Sequence, residues 1–348
     1  MNNKNIKNIK NIAIKEVKQL AKDSQFMTTG VISRLTQRKD RNDNPFWDIT
    51  LSDKSGDLDA KIWGGSTWWS LLDGDEVPID PMSSDLKFLG SVVSISGKTS
   101  EFREQLQYNV SDLYYLDPSE NPRENYTKRS PISDEELESR FRNLLEQVSE
   151  PLRKFLQHVF FERNLWEKFK VYPAAISIHH AYVGGLLEHS LSVANLGLEI
   201  AKHYDAFKVP VNKDLVIAGG LLHDLGKLYS YNNVPLSQMS LDGNLLGHVS
   251  LGYEKFMQFA ESQNLDSRFV TAISHIIISH HGKPEFGSPV APMMPEALIV
   301  SAADNLDFQL NYWRCQIEDL NPQFEMTDYL PLLERKFWRG FPDYNLQP

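Results

Sequence analysis

The chain has 348 residues, 41% of them hydrophobic and 24% charged, which suits a globular protein of roughly two domains; no apolar run approaches the ~20 residues of a membrane span, so no membrane partner is expected. The net charge of −10 excludes a surface coated in positive charge for duplex nucleic acid. A single cysteine, Cys315, excludes an intrachain disulfide, and the N-terminus lacks the apolar stretch of a secretory signal, so a reducing, cytoplasmic setting is expected. The charge is uneven: residues 1–130 hold 18 basic against 19 acidic side chains, leaving 18 against 27 for the remainder.

Residues 1–24 form a basic, Asn-rich segment that suits a short amphipathic helix or a solvated terminus. Over 25–116 the pattern changes to short strands and turns. The runs Met27–Leu35, Phe46–Leu51, Leu58–Trp63, Phe88–Ile95 and Gln105–Leu116 predict five strands, with a turn-rich hairpin connection over Ser52–Asp57. Five strands in so short a stretch predict a small all-β barrel, with the oligonucleotide/oligosaccharide-binding (OB) fold as the leading candidate. Strand alternation puts Leu58, Ala60 and Ile62 on an inner face and leaves Lys61 and Trp63 together outside. A cation beside a ring can meet a phosphate and stack on a base, and Phe46, Trp47, Lys98, Phe102 and Arg103 extend that path. The candidate nucleic-acid contacts are therefore Lys61, Trp63, Phe46, Lys98 and Arg103. For aromatics in a small barrel, a core position is the competing reading.

Residues 117–132, rich in proline and poor in apolar side chains, read as a linker. Ser133 with Glu136 then forms a capping box that opens a helical domain over 133–315. Helical spacing recurs near 134–148, 151–163, 180–204, 212–224, 246–262, 266–280 and 293–315, which predicts an all-α bundle. The tail, 316–348, has aromatics that suit either a cover over the bundle or a subunit contact in a homo-oligomer.

The bundle carries the chemistry. An apolar helix runs into His223-Asp224, and Gly226 and Lys227 follow at once. His189 and Asp304 lie on two other predicted helices, so these four side chains can hold one divalent ion if those faces turn inward. His248, near a helix start, and His280-His281-Gly282, at a helix end, supply a second set. Two ions sharing Asp224 would stand about 3.5–4 Å apart and hold a hydroxide for attack on phosphorus, with Lys227 on a non-bridging oxygen. His180, about two and a half helical turns before His189, suits either a phosphate contact above the ions or packing at the helix start. Asp307, one turn after Asp304, suits the orientation of a ligand histidine or a surface ion pair, and Glu188 a solvated or supporting position. With one cysteine in the chain the ligands are nitrogen and carboxylate, a set that suits Mn, Fe, Zn or Co.

The order His, His-Asp, distant Asp resembles the HD superfamily of metal-dependent phosphohydrolases, and the extra histidines resemble its binuclear phosphodiesterases. Tyr172-Pro-Ala-Ala175, His179-His180, the HDLGK run at 223–227, Gly243–His248, Ser279–Lys283, Gly287-Ser-Pro289 and Asp304–Asp307 together are similar to the YhaM family of 3′→5′ exoribonucleases. Asp53–Asp57 followed by Ala60–Trp63 resembles that family's OB segment, so the likeness runs from about Gln25 to Asp307. The resemblance implies a metal-dependent exonuclease with Mn²⁺ as the working ion. It further implies single-stranded RNA, and also DNA, as substrate, with 5′-mononucleotides released from the 3′ end. A phosphohydrolase acting on small nucleotides, and a strand-binding regulator with no catalysis, stand as the alternatives.

Overall fold

Alternation of apolar and polar residues decides the first of two compact units, Met1–Arg129 and Ser130–Pro348. The computed structural model describes residues 9–72, 75–82, 85–102, 105–232, 238–321 and 323–341. In the first unit a short helix, α1 (Ile14–Val17), precedes β1 (Gln25–Lys39), β2 (Pro45–Asp53) and β3 (Gly56–Leu72). A short β4 (Asp75–Pro78) pairs with the end of β3, and β5 (Val92–Phe102) and β6 (Gln105–Leu116) complete the unit. β1, β2 and β3 form an antiparallel meander, β3 runs parallel to β6, and β5 joins β6 back to β1. The pairings close a five-stranded ring in the OB order, as the strand pattern predicted.

Leu58, Ala60 and Ile62 point into the barrel with Ile49, Leu51 and Ile95, while Trp63 is outside. The basic N-terminal segment is not simply solvated: Ile14 and Val17 are fully buried in the barrel core. Asp53 fixes that join. Its Oδ2 accepts the Ile14 N–H at 2.9 Å, and its Oδ1 accepts the N–H of Ser55 and of Gly56, the latter at a φ of 145°. β3 continues past the predicted end at Trp63, carrying Trp68 into the core between Trp47 and Phe88. Trp47 is thereby an inner residue and leaves the proposed strand path. Phe88 precedes β5 and fills the core without pairing in a strand.

The second unit is helical: α2 (Asp134–Leu145), α3 (Leu152–Gln157), α4 (Trp166–Phe169), α5 (Gly185–Asp205), α6 (Lys213–Leu222) and α7 (Lys227–Ser230). A two-stranded ladder of β7 (Tyr231–Asn232) and β8 (Gln238–Met239) leads to α8 (Leu241–Ser262), α9 (Ser267–Ser279) and α10 (Pro295–Asp319). Ser133 caps α2 as predicted, accepting the Glu136 N–H at 3.2 Å, but the Glu136 carboxylate pairs with Arg140. α5 starts at Gly185, not at residue 180, because His180 (φ 46°) and Gly184 (φ 83°) are left-handed and cannot continue a helix. α8 starts earlier than predicted, capped by Ser240, and bends at Gly247, whose φ of 73° sets the following His248 on a new helical segment. One apolar core runs through Phe141, Phe160, Phe169, Leu221 and Phe256. Among the described residues no helix is long and apolar enough to cross a membrane.

Candidate metal centre

Three packed helices and two helix ends converge on one point. His189 lies in the first turns of α5, Asp304 in the middle of α10, and His223-Asp224 directly after α6. The glycine at 226 is required by close approach: a Cβ there would stand 1.8 Å from the His248 carbonyl oxygen. Its absence lets the turn carrying Asp224 lie against the backbone of α8, which brings His248 into range. His280 ends α9, and His281 follows it.

Each of four imidazoles has one nitrogen committed to an acceptor. His223 Nδ1 meets the Gly220 carbonyl at 2.8 Å, His280 Nδ1 the Ile277 carbonyl at 2.7 Å, and His281 Nδ1 the Phe286 carbonyl at 2.8 Å. His189 Nδ1 meets the Asp307 carboxylate at 2.7 Å. A carbonyl or carboxylate only accepts, so each Nδ1 donates and each Nε2 turns to the interior, where a metal ion would take its lone pair. The Nε2 atoms of His189 and His223 then face each other at 3.2 Å, with Asp224 Oδ2 at 3.4 and 3.3 Å from them and Asp304 Oδ1 at 3.2 Å from His189. Two nitrogens at tetrahedral angles on one ion, each ~2.0–2.1 Å from it, are about 3.3 Å apart. The observed spacing fits a shared cation.

The second oxygen of Asp224 turns the other way. Oδ1 lies 3.5 Å from His248 Nε2 and 3.8 Å from His280 Nε2. All three of these atoms are buried without a hydrogen-bond partner. Donor atoms of His248, His280 and His281 form one compact group, and those of His189, His223 and Asp224 another. Buried polar atoms left unpaired cost free energy, and a divalent ion would satisfy all three orphans at once.

The electrostatics favour a cation at the same place. Burial lowers His248 to about 3 and holds His280 well below the usual imidazole value, so both stay neutral and able to ligate. At His189 burial works to lower the pKa, but Asp224, Asp304 and Asp307 outweigh it and hold it well above the ordinary value. Burial likewise works to raise Asp224, and Lys227 and His223 hold it well below the carboxylate range. Lys227 Nζ sits 2.5 Å from Asp224 Oδ2, and that carboxylate overcomes burial to raise the ammonium's pKa.

The structure brings together His189, His223, Asp224, His248, His280, His281 and Asp304, with Lys227 against Asp224. Asp307 takes the orienting place beside His189 and also accepts from Ser192. His180 lies deeper than a phosphate contact requires: its backbone N–H and Nε2 both engage Asn311 on α10, and its Nδ1 faces His179 at 3.3 Å. The half-buried member of the pair is His179, its ring 5.3 Å from that of His189. Glu188 is buried and accepts the Tyr182 hydroxyl at 2.9 Å, which excludes the solvated reading. Asn311 and Tyr182 carry no spacing signal that marks them in the sequence.

The family profile described as HD domain matches residues 186–309, the segment that carries every residue of the centre named above from His189 to Asp307. The 3′-5′ exoribonuclease YhaM of Bacillus subtilis is 31% identical over 86% of this chain and 89% of its own length, and that of Bacillus licheniformis 30% identical over the same shares. The chain belongs to the YhaM family of 3′-5′ exoribonucleases. The YhaM of Oceanobacillus iheyensis is 27% identical over 88% of this chain and 90% of its own. Among solved structures, the second OB-fold domain of replication protein A from Methanococcus maripaludis matches 30% of this chain and 94% of that one, at 13% identity and a TM-score of 0.22. Strand order and register alone carry the OB fold.

On the barrel of this YhaM-family chain, register sets out a surface row. Asp48, Lys61, Asn109 and Lys98 are cross-strand neighbours in turn along β2, β3, β6 and β5. In the next pair the Phe46 and Trp63 rings lie 5.1 Å apart, with Lys61 Nζ 5.0 Å from the first and 5.8 Å from the second. Trp63 is 40% exposed, and its Nε1 donates to Asn109 Oδ1 at 2.8 Å. Lys61 pairs with Asp48 at 3.4 Å and Lys98 with Asp23 at 2.9 Å. Phe102 is exposed, and Arg103 lies outside the described residues.

Proposed function

We propose that this YhaM-family chain is a 3′→5′ exonuclease of single-stranded RNA, able to act on single-stranded DNA as well, that uses two divalent ions and releases 5′-mononucleotides. The observation that carries the reading is Asp224, whose two carboxylate oxygens face two separate groups of imidazole donors. In this reading His189, His223, Asp224 and Asp304 hold one ion, and Asp224, His248, His280 and His281 hold the other. When bound, such ions would make water a nucleophile near neutral pH and offset charge on the phosphoryl oxygens, and Mn²⁺ suits the nitrogen and carboxylate donors.

The chain's own residues do the positioning. Asp307 and three backbone carbonyls fix the tautomers of His189, His223, His280 and His281, which reduces the reorganisation that binding an ion would need. Lys227 offers three N–H donors, of which Asp224 takes one, and another is assigned to a non-bridging phosphate oxygen. The phosphate contact first assigned to His180 passes to its neighbour His179, because both ring nitrogens of His180 already face partners. On the barrel, Lys61 and Lys98 are the phosphate contacts and Trp63 over Phe46 the stacking platform.

A 5′-labelled single-stranded RNA incubated with Mn²⁺, beside the Asp224→Ala protein, tests the reading. Progressive shortening from the 3′ end by the wild-type chain alone is the expected result. RNA left intact by both proteins, with turnover of a small nucleotide by the wild type, would replace it with the small-nucleotide alternative.

A further inference from the structure

α10 carries more than a metal ligand. Asp304, Phe308 and Tyr312 are spaced four residues apart, so they share one helix face and step along it by about 6 Å each. The Phe308 and Tyr312 rings are parallel to within 8°, with centroids 6.1 Å apart. Phe308 meets the edge of His179 at 5.0 Å, and His179 in turn lies 5.3 Å from His189. A chain of rings thus leads from the metal centre along α10. Both aromatics are half-buried, and neither belongs to the apolar clusters that the buried described residues of this unit form. Two large rings outside these clusters, each partly open to solvent and aligned with Asp304, offer stacking faces to an external partner.

Resting on the proposed hydrolysis of a single strand, we infer that Phe308 and Tyr312 form a stacking subsite for nucleobases flanking the scissile phosphodiester, one and two helical turns from Asp304. The step between the rings is close to the spacing of successive nucleotides in an extended strand. A ring face accepts any base, since every base has a π-face, so this subsite gives grip without sequence preference. His179 closes the near side by standing edge-on to Phe308. Leucine is the appropriate substitution at both positions, because it keeps apolar volume and helix propensity while removing the ring.

The test compares two RNA strands, one with natural bases and one abasic at its last two positions, with the Mn²⁺-loaded full chain and its Phe308→Leu, Tyr312→Leu and Tyr312→Phe variants. On the natural strand each leucine variant is expected to raise KM about ten-fold with unchanged metal content, while Tyr312→Phe matches the wild type. On the abasic strand, which forfeits both stacks, the wild type is expected to lose about a hundred-fold and the leucine variants to add nothing to it. A fluorescent base analogue at those positions, read in the first milliseconds after mixing, is quenched by the wild type and not by the leucine variants. Leucine variants that equal the wild type on the natural strand, or lose as much on the abasic strand, overturn the subsite. A wild-type chain that shortens neither strand marks failure of the exonuclease reading itself, and the subsite falls with it.

Discussion

The metal centre and the barrel face both gather charged and aromatic side chains, but they hold them in opposite ways. In the centre, Asp224, His248 and His280 keep buried atoms with no partner, and the Ile277 carbonyl behind His280 sets the tautomer of that ring. On the barrel face, Lys61 and Lys98 already pair with Asp48 and Asp23 at the surface, and Lys98 and Asp23 are more than half exposed. An exposed pair such as Lys98–Asp23 is screened by solvent and exchanges partners at small cost. A site with unpaired buried donors is completed by one kind of ligand; a site of screened surface pairs releases and regrips a moving strand. That contrast is what the proposed stepwise hydrolysis of a strand would need.

Substitutions in the centre should give the largest effects. Asp224→Ala is expected to reduce hydrolysis to background, because it removes the one carboxylate facing both donor groups; a labelled-RNA time course checks this. Gly226→Ala should follow. Its new Cβ would meet the His248 backbone, which has no flexible end to move, so a loss of about 1–3 kcal/mol and a melting point lower by several degrees are expected, together with reduced metal content. Asp307→Asn keeps the shape but weakens the hold on His189, and metal titration should show affinity lower by about 10- to 100-fold.

On the barrel side the expected losses are smaller and salt-dependent. Lys61→Ala with Trp63→Ala should weaken binding of single-stranded RNA about ten-fold and reduce the slope of log affinity against log salt by about one, with metal content unchanged. Unchanged affinity and slope would remove the Lys61–Trp63 platform from the account.

The sequence carried the candidate ligands because their chemistry is conspicuous: His223-Asp224 interrupts an apolar helix, and further histidines recur in order on both sides of it. It carried the strand alternation around Leu58–Trp63 for the same reason, since a period of two leaves one face apolar. It did not carry the third dimension. Alternation alone sets Trp63 outside, whereas only cross-strand register, which pairs Trp47 with Ile62, shows that Trp47 is core. His179 and His180 are adjacent and identical in type, and only the left-handed backbone at His180 turns it toward Asn311. Phe308 and Tyr312 carry no sequence signal that separates them from helical core positions.

The measurement closest to the central claim is the metal content of the purified chain after equilibration with Mn²⁺ and removal of free ion. If Asp224 joins two donor groups, the wild type holds two ions per chain, a protein with both His248→Ala and His281→Ala holds one, and Asp224→Ala holds neither firmly. A wild-type chain that saturates at one ion, or an Asp224→Ala chain that keeps two, would contradict it.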